Sequence, residues 1–179
     1  RMNLTCTVKP IFVLLVLFFA VSCMNFKAQS TKQGRAWYET FFINDSTTQY
    51  FIKPLELTGT FEVSPDFTFR KTGNELSPVT LNFTVFAEEP VPLNTFEIAG
   101  TLLTVENSSF NLLYKEKQKK GYKYRYSAKV PFESLRRFFN ANQGTPTLGI
   151  NGQSHLPTTR TASRIQTLNE YLFQFELLD

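Results

Sequence analysis

The stretch Val79–Ala87 (VTLNFTVFA) constrains the fold more than any other, because it alternates without a break. Val79, Leu81, Phe83, Val85 and Ala87 fall on one side, and Thr80, Asn82, Thr84 and Phe86 on the other. A period of two sustained over 9 positions is the signature of a β-strand, and its half-polar second face predicts an antiparallel sheet wetted on one side. A second stretch repeats the pattern, with Tyr122, Tyr124, Tyr126, Ala128 and Val130 alternating against Lys123, Arg125, Ser127 and Lys129. The 19 Phe and 7 Tyr point the same way, since aromatic side chains favour strands and supply bulk for a core.

Turn chemistry divides the rest of the chain. Residues 37–43 and 49–57 flank Asn44-Asp45-Ser46 and predict a hairpin, with Pro54 ending the second arm or confining it to an edge. Residues 60–63 and 67–71 flank Ser64-Pro65-Asp66 and predict another. Glu88-Glu89-Pro90-Val91-Pro92 reads as a turn. Residues 95–105 predict a strand with a bulge or bend at Gly100, where a sheet would curve. Residues 110–114 and 122–130 predict a hairpin with a charged tip at 115–121. Pro131 suits a first helical position, Glu133 suits the positive end of a helix dipole, and Phe132, Leu135, Phe138 and Phe139 recur at helical spacing up to Asn140. Residues 143–161, rich in Gly, Pro, Thr, Asn and Ser, predict a loop. Tyr171, Phe173, Phe175 and Leu177 alternate with Leu172, Gln174 and Glu176, which predicts a last strand over 171–178. The fold class expected is all-β and mainly antiparallel: a β-sandwich or distorted barrel of about eight to ten strands with one short helix packed on it.

The N-terminal residues set an address. Lys9 precedes an unbroken apolar run over 11–21, and Ala20-Val21-Ser22 places small residues before a cleavable bond, as secretory signals do. The run is too short to cross a bilayer, which takes ~20 residues. Residues 1–22 are therefore expected to be a signal peptide, 23–35 a flexible tether and 36–179 a single β-rich domain. Cys23 follows the predicted bond directly, so the same positions read as a relaxed lipobox, the bacterial signal for lipid attachment to a new N-terminal cysteine. The competing readings are cleavage later, at Ala28-Gln29-Ser30, and an uncleaved short anchor. With Cys6 in the leader, Cys23 is left alone, which excludes an internal disulfide, and a lone thiol in an oxidising compartment favours lipidation.

Charge and motifs bound the function. The 19 basic residues less Arg1 and Lys9 leave 17 against 15 acidic residues, which is no nucleic-acid footprint. One histidine and one cysteine beyond the leader make no zinc-like ligand set, and no cofactor motif is present. His155 beside Ser154 lacks a nucleophile elbow and a recognisable third group, so no catalytic residue is expected. Glu88 and Glu89 read as a solvated turn that guards a strand end. The most charged segment, 115–125, offers Lys119, Lys120, Lys123 and Arg125 as partner-binding residues. Alternation sends its tyrosines to the core and its cations to the outside, where they solubilise the domain or contact an acidic protein or polysaccharide.

The expected protein is thus exported to the cell envelope, as a bacterial lipoprotein anchored to a membrane and either periplasmic or surface-exposed, or else secreted. Its expected role is that of a non-enzymatic binding or structural β-domain. Two alternatives are a lipocalin-like or other barrel carrier of a small apolar ligand, and an enzyme with an unrecognised active site. A carrier requires an apolar cavity inside a closed barrel, whereas a binding module has a filled core and works through loops such as 143–161.

Overall fold

The structure, a computed structural model, describes residues 37–104, 110–140 and 144–177. The expected signal peptide at 1–22, the tether at 23–35 and Cys23 lie outside the described residues.

The strands are β1 (Tyr38–Asn44), β2 (Thr47–Ile52), β3 (Leu57–Thr58), β4 (Glu62–Thr72), β5 (Glu75–Leu76), β6 (Val79–Ala87), β7 (Thr95–Ile98), β8 (Thr101–Thr104), β9 (Phe110–Gln118), β10 (Gly121–Val130), β11 (Leu148–Ile150) and β12 (Gln153–Pro157). They form one antiparallel sheet in the order β8-β7-β11-β12-β3-β4-β6-β10-β9, with the β1–β2 hairpin joined to β4 through β2, and β5 paired to the end of β4. Phe83 on β6 and Phe96 on β7 have four strands between them in that order, yet their rings stack at 4.6 Å. The sheet has therefore rolled up into a nearly closed, barrel-like shape, with β8 and β9 at its two free ends.

Two short helices among the described residues, not the one expected, fill the concave face. Helix α1 (Phe132–Phe139) follows β10, and α2 (Thr159–Leu168) runs on into a π-helical segment, Asn169–Glu176. Phe67 of β4 meets Phe138 and Phe139 at 5.8 and 5.7 Å, Phe69 meets Phe132 at 5.1 Å, and Phe173 stacks on Phe139 at 5.0 Å. Phe67, Phe83, Phe96 and Phe139 are wholly buried. Each such ring contributes about 2–3 kcal/mol by leaving water. The interior is thus packed with aromatic rings from both layers.

Several expectations are met residue for residue. β6 spans the whole alternating stretch, β2 stops at Ile52 before Pro54, and α1 ends before Asn140. Pro131 is the cap residue of α1 and not its first helical residue. In β10, Tyr124, Tyr126, Ala128 and Val130 are buried as the alternation requires.

Four more expectations are corrected, besides that for Pro131. First, Ser64-Pro65-Asp66 is not a turn but the middle of β4. The Pro65 carbonyl accepts from the Leu55 N–H at 2.9 Å. Amide and carbonyl of one strand residue point the same way, so the missing Pro65 donor faces residues 53–56 and leaves the β6 ladder intact. Second, Gly100 does not bend a continuous strand. Ala99 (φ 47°) and Gly100 (φ 81°) form a two-residue turn between β7 and β8, and positive φ at both positions matches strand twist. Third, the expected loop at 143–161 is not one from Leu148 onward, because Asn151 (φ 50°) and Gly152 (φ 76°) turn β11 into β12 in the same manner, and α2 begins at Thr159.

Fourth, no strand occupies 171–178 among the described residues. Ile165, Leu168, Leu172, Phe173 and Leu177 are buried while Tyr171 is 42% exposed. That is a helical stripe, and it overrides the two-residue alternation. The Thr158 hydroxyl starts α2 by accepting from the Thr161 N–H at 3.3 Å.

Candidate functional site

The β9–β10 hairpin carries the charged segment. β9 runs on to Gln118, so the turn is reduced to Lys119 and Lys120, followed by Gly121 at φ 104°. A Cβ on Gly121 would lie 2.3 Å from the Ala87 carbonyl oxygen and 2.7 Å from Glu88 Cα, so glycine lets the hairpin pack against the end of β6. Every residue from Asn111 to Lys120 is exposed.

The four cations proposed from sequence separate into three environments. Lys119 and Lys120 are exposed at the turn and form no ion pair among the described residues. Lys123 lies with its ammonium 5.7 Å from the ring centres of both Phe86 and Tyr114, a cation–π position. Arg125 is committed elsewhere: it donates to Asp66 at 2.6 Å and to the Thr84 hydroxyl at 2.9 Å. The other Asp66 oxygen accepts from Asn82 at 3.0 Å. Asp66 is 1% exposed, so Arg125 compensates a buried carboxylate and joins β4, β6 and β10. The alternation of β10 gave no sign of this partner, which lies 59 residues away in sequence.

Register also fixes where the hairpin points. Thr47 lies opposite Thr72 at one end of β4, and Phe86 opposite Glu62 at the other. Lys123 is opposite Phe86. The Lys119–Lys120 turn therefore stands at the Glu62 end, and the Asp45–Ser46 turn at the Thr72 end. An 11-residue strand at ~3.3 Å per residue puts the two poles ~35 Å apart.

His155 and Ser154 are not brought together. Ser154 faces out opposite Gly149, while His155 lies opposite Leu148, wholly buried, on the other side of β12. The His155 ring packs on Phe61 at 4.5 Å, and Gly59 leaves room for it, since a Cβ there would come within 2.7 Å. Nδ1 lies 3.1 Å from the Gln153 carbonyl oxygen, and Nε2 has no partner among the described residues. Burial pushes its pKa below the ordinary value, against the opposing pull of the Gln153 and Leu148 carbonyls. His155 is a neutral core residue. Glu88 and Glu89 are exposed beside the Lys119–Lys120 turn, where Gly121 packs on Glu88.

Clefts open on the surface of the described residues, two of them well formed. The larger, about 580 Å³, lies where β7, β11 and β12 meet α1, and is lined by Glu97, Glu133, Arg137, Thr145, Thr147 and Ser154 among others. Glu133 is held there by Arg136 at 2.8 Å and Arg137 at 3.3 Å, and the Arg136 hydrogen bond is the chief reason its pKa falls. The smaller, about 360 Å³, is lined by Glu56, Thr58, Glu62, Ser64, Phe86 and Thr158 among others. Sequence reasoning pointed to the 143–161 side of the larger cleft but not to Glu97, Glu133 or Arg137, which reach it from separate elements. Among the described residues no three His, Cys, Asp or Glu side chains cluster as metal ligands, and no helix is long and apolar enough to cross a membrane.

The fold and surface define a class: a rolled antiparallel sheet filled by helices, with a run of basic residues on one hairpin. No family model matches the chain, no curated protein matches it, and no solved structure matches it.

Proposed function

We propose that this chain is an exported envelope lipoprotein, held to a membrane through lipid on Cys23, which works without catalysis by binding an acidic envelope protein or polysaccharide. The binding residues are Lys119 and Lys120, with Lys123 behind them. One observation carries the reading: the two turn lysines stand exposed at a pole of the barrel and form no ion pair among the described residues. Such a tip steers toward negative charge. Arg125 drops out of the binding set because Asp66 holds it.

The packed interior supports binding over carriage of an apolar ligand. The rings of Phe67, Phe83, Phe96, Phe138 and Phe139 occupy the space a carrier would leave open. Tethering adds to a modest affinity, since an anchored domain meets an abundant membrane-side partner at high effective concentration.

The test is charge reversal at the tip, Lys119→Glu with Lys120→Glu, followed by recovery of cross-linked partners from cell envelopes. Recovery falling by about tenfold, with unchanged thermal stability, is the expected result, as two reversed contacts at ~1 kcal/mol or somewhat less each would give. Unchanged recovery refutes the hairpin as the site and leaves the cleft between α1 and β11–β12 as the place to look.

A further inference from the structure

The β1–β2 hairpin ends in three consecutive exposed apolar residues: Phe41, Phe42 and Ile43 are 46%, 65% and 50% exposed. Successive strand residues face opposite sides, so both faces of this tip are apolar and both are wet. The core does not explain it, because burial on β2 resumes only at Tyr50. Large apolar surface on a projecting tip marks a contact with something apolar.

We propose that this tip inserts into the interfacial region of the bilayer to which the chain is anchored. The inference rests on the Cys23 anchor for its setting, and three observations select lipid as the occupant. The first is reach. Cys23 precedes Trp37 by 14 residues, which span at most ~50 Å. The exit point is fixed, since Arg164 stacks on the Trp37 ring at 4.1 Å and the Trp37 carbonyl accepts from Lys53 at 2.9 Å. From there the tip is only ~17 Å along β1, so a chain anchored at Cys23 brings it to the lipid surface without strain.

The second is the shape of the edge. Phe42 pairs with Thr48 and Asn44 with Thr47, which leaves Ile43 in a bulge. A bulge twists an edge strand and blocks the addition of a second copy's strand. A fluid apolar phase makes no such demand on register. The third is polarity: the tip lies at the pole opposite Lys119 and Lys120, so insertion leaves the basic hairpin facing away from the membrane. Arg70 and Lys71 near the tip are matched in number by Asp45 and Glu75, so contact depends on the apolar side chains rather than on lipid charge.

The experiment uses the chain from position 23 onward carrying Cys23→Ser, so that no lipid is attached, with sedimentation on vesicles of phosphatidylethanolamine and phosphatidylglycerol. The expected result is binding that resists added salt, falls at least about tenfold in Phe42→Ser/Ile43→Ser, and falls by a smaller factor in Phe42→Ser alone. Binding is expected to be unchanged in Leu112→Ser/Leu113→Ser, which removes exposed apolar side chains from β9 instead. Thermal unfolding of each variant establishes that it is folded. Absence of vesicle binding, binding equal in the β1–β2 tip variants, or an equal loss in Leu112→Ser/Leu113→Ser overturns the proposal. A dimer that dissociates in the tip variant also overturns it, in favour of a second copy. Because the anchor is removed, failure here is separate from failure of the Cys23 reading, which the mass of the exported protein decides.

Discussion

Asp66 and Arg125 meet at 2.6 Å on the polar face of the sheet, with Asp66 1% and Arg125 26% exposed on their side chains. Removing the cation leaves a buried carboxylate with only Asn82 to bond it. Arg125→Met should destabilise the fold by about 2–3 kcal/mol, below the range for fully buried pairs because a quarter of the arginine is open to solvent. Asp66→Asn with Arg125→Met should recover part of that loss. Urea denaturation of both single variants and the double variant checks it, and additive losses would show that the pair is not coupled.

Lys119→Glu/Lys120→Glu should leave stability within about 0.5 kcal/mol, since exposed substitutions away from such networks cost little. The contrast with Arg125 separates two residue sets that look alike in sequence. Both sit in one basic stretch, but only the rolled sheet brings Asp66 under Arg125.

His155 predicts a pH dependence. Burial depresses its folded pKa below the ordinary 6.5, so below that value the unfolded chain binds the proton more readily than the folded one. Stability should therefore be full above pH 6.5 and fall as pH drops from 6.5 toward the folded pKa. His155→Phe should abolish that part of the slope. Thermal melts across the window test it; an identical slope in wild type and variant would contradict the assignment.

The C-terminal segment separates helix from strand. Leu172→Ala should cost about 2–4 kcal/mol, as for other buried leucines, while Tyr171→Ala should cost about 1 kcal/mol or less. A strand with Tyr171 facing the core would reverse the order. Thermal or urea unfolding of the two variants decides it.

The strands were most legible where one face is buried and the other wet, as in β6 and β10, because burial on one side writes a period of two into the chain. The C-terminal segment misled for the same reason: Tyr171, Phe173, Phe175 and Leu177 alternate, yet Leu172 between them is buried against the core as part of a helical stripe. The β11–β12 hairpin was readable from Asn151-Gly152, a strong turn signal, but its arms are only three and five residues long. Pro65 could not be read, since its place in β4 depends on which edge lacks a ladder partner. The exposed Lys119 and Lys120 were legible as a charged tip. The cleft residues Glu97, Glu133 and Arg137 converge only in three dimensions.

Gly121 tests how the basic hairpin is seated. Gly121→Ala combines φ 104° with a Cβ 2.3 Å from the Ala87 carbonyl, and should cost about 2–4 kcal/mol or shift the hairpin. Gly73→Ala, at φ 56° with nothing near its Cβ, should cost only about 1 kcal/mol. Equal losses in denaturant unfolding would contradict the close packing at the turn of the hairpin.

The central proposal, a domain anchored through Cys23 with its basic pole turned outward, is tested most directly by the intact mass of the exported protein compared with its Cys23→Ser variant. The account predicts a wild-type chain that begins at Cys23 and carries the added mass of lipid, with no such mass in the variant. An unmodified N-terminus at Thr31 in both would contradict it.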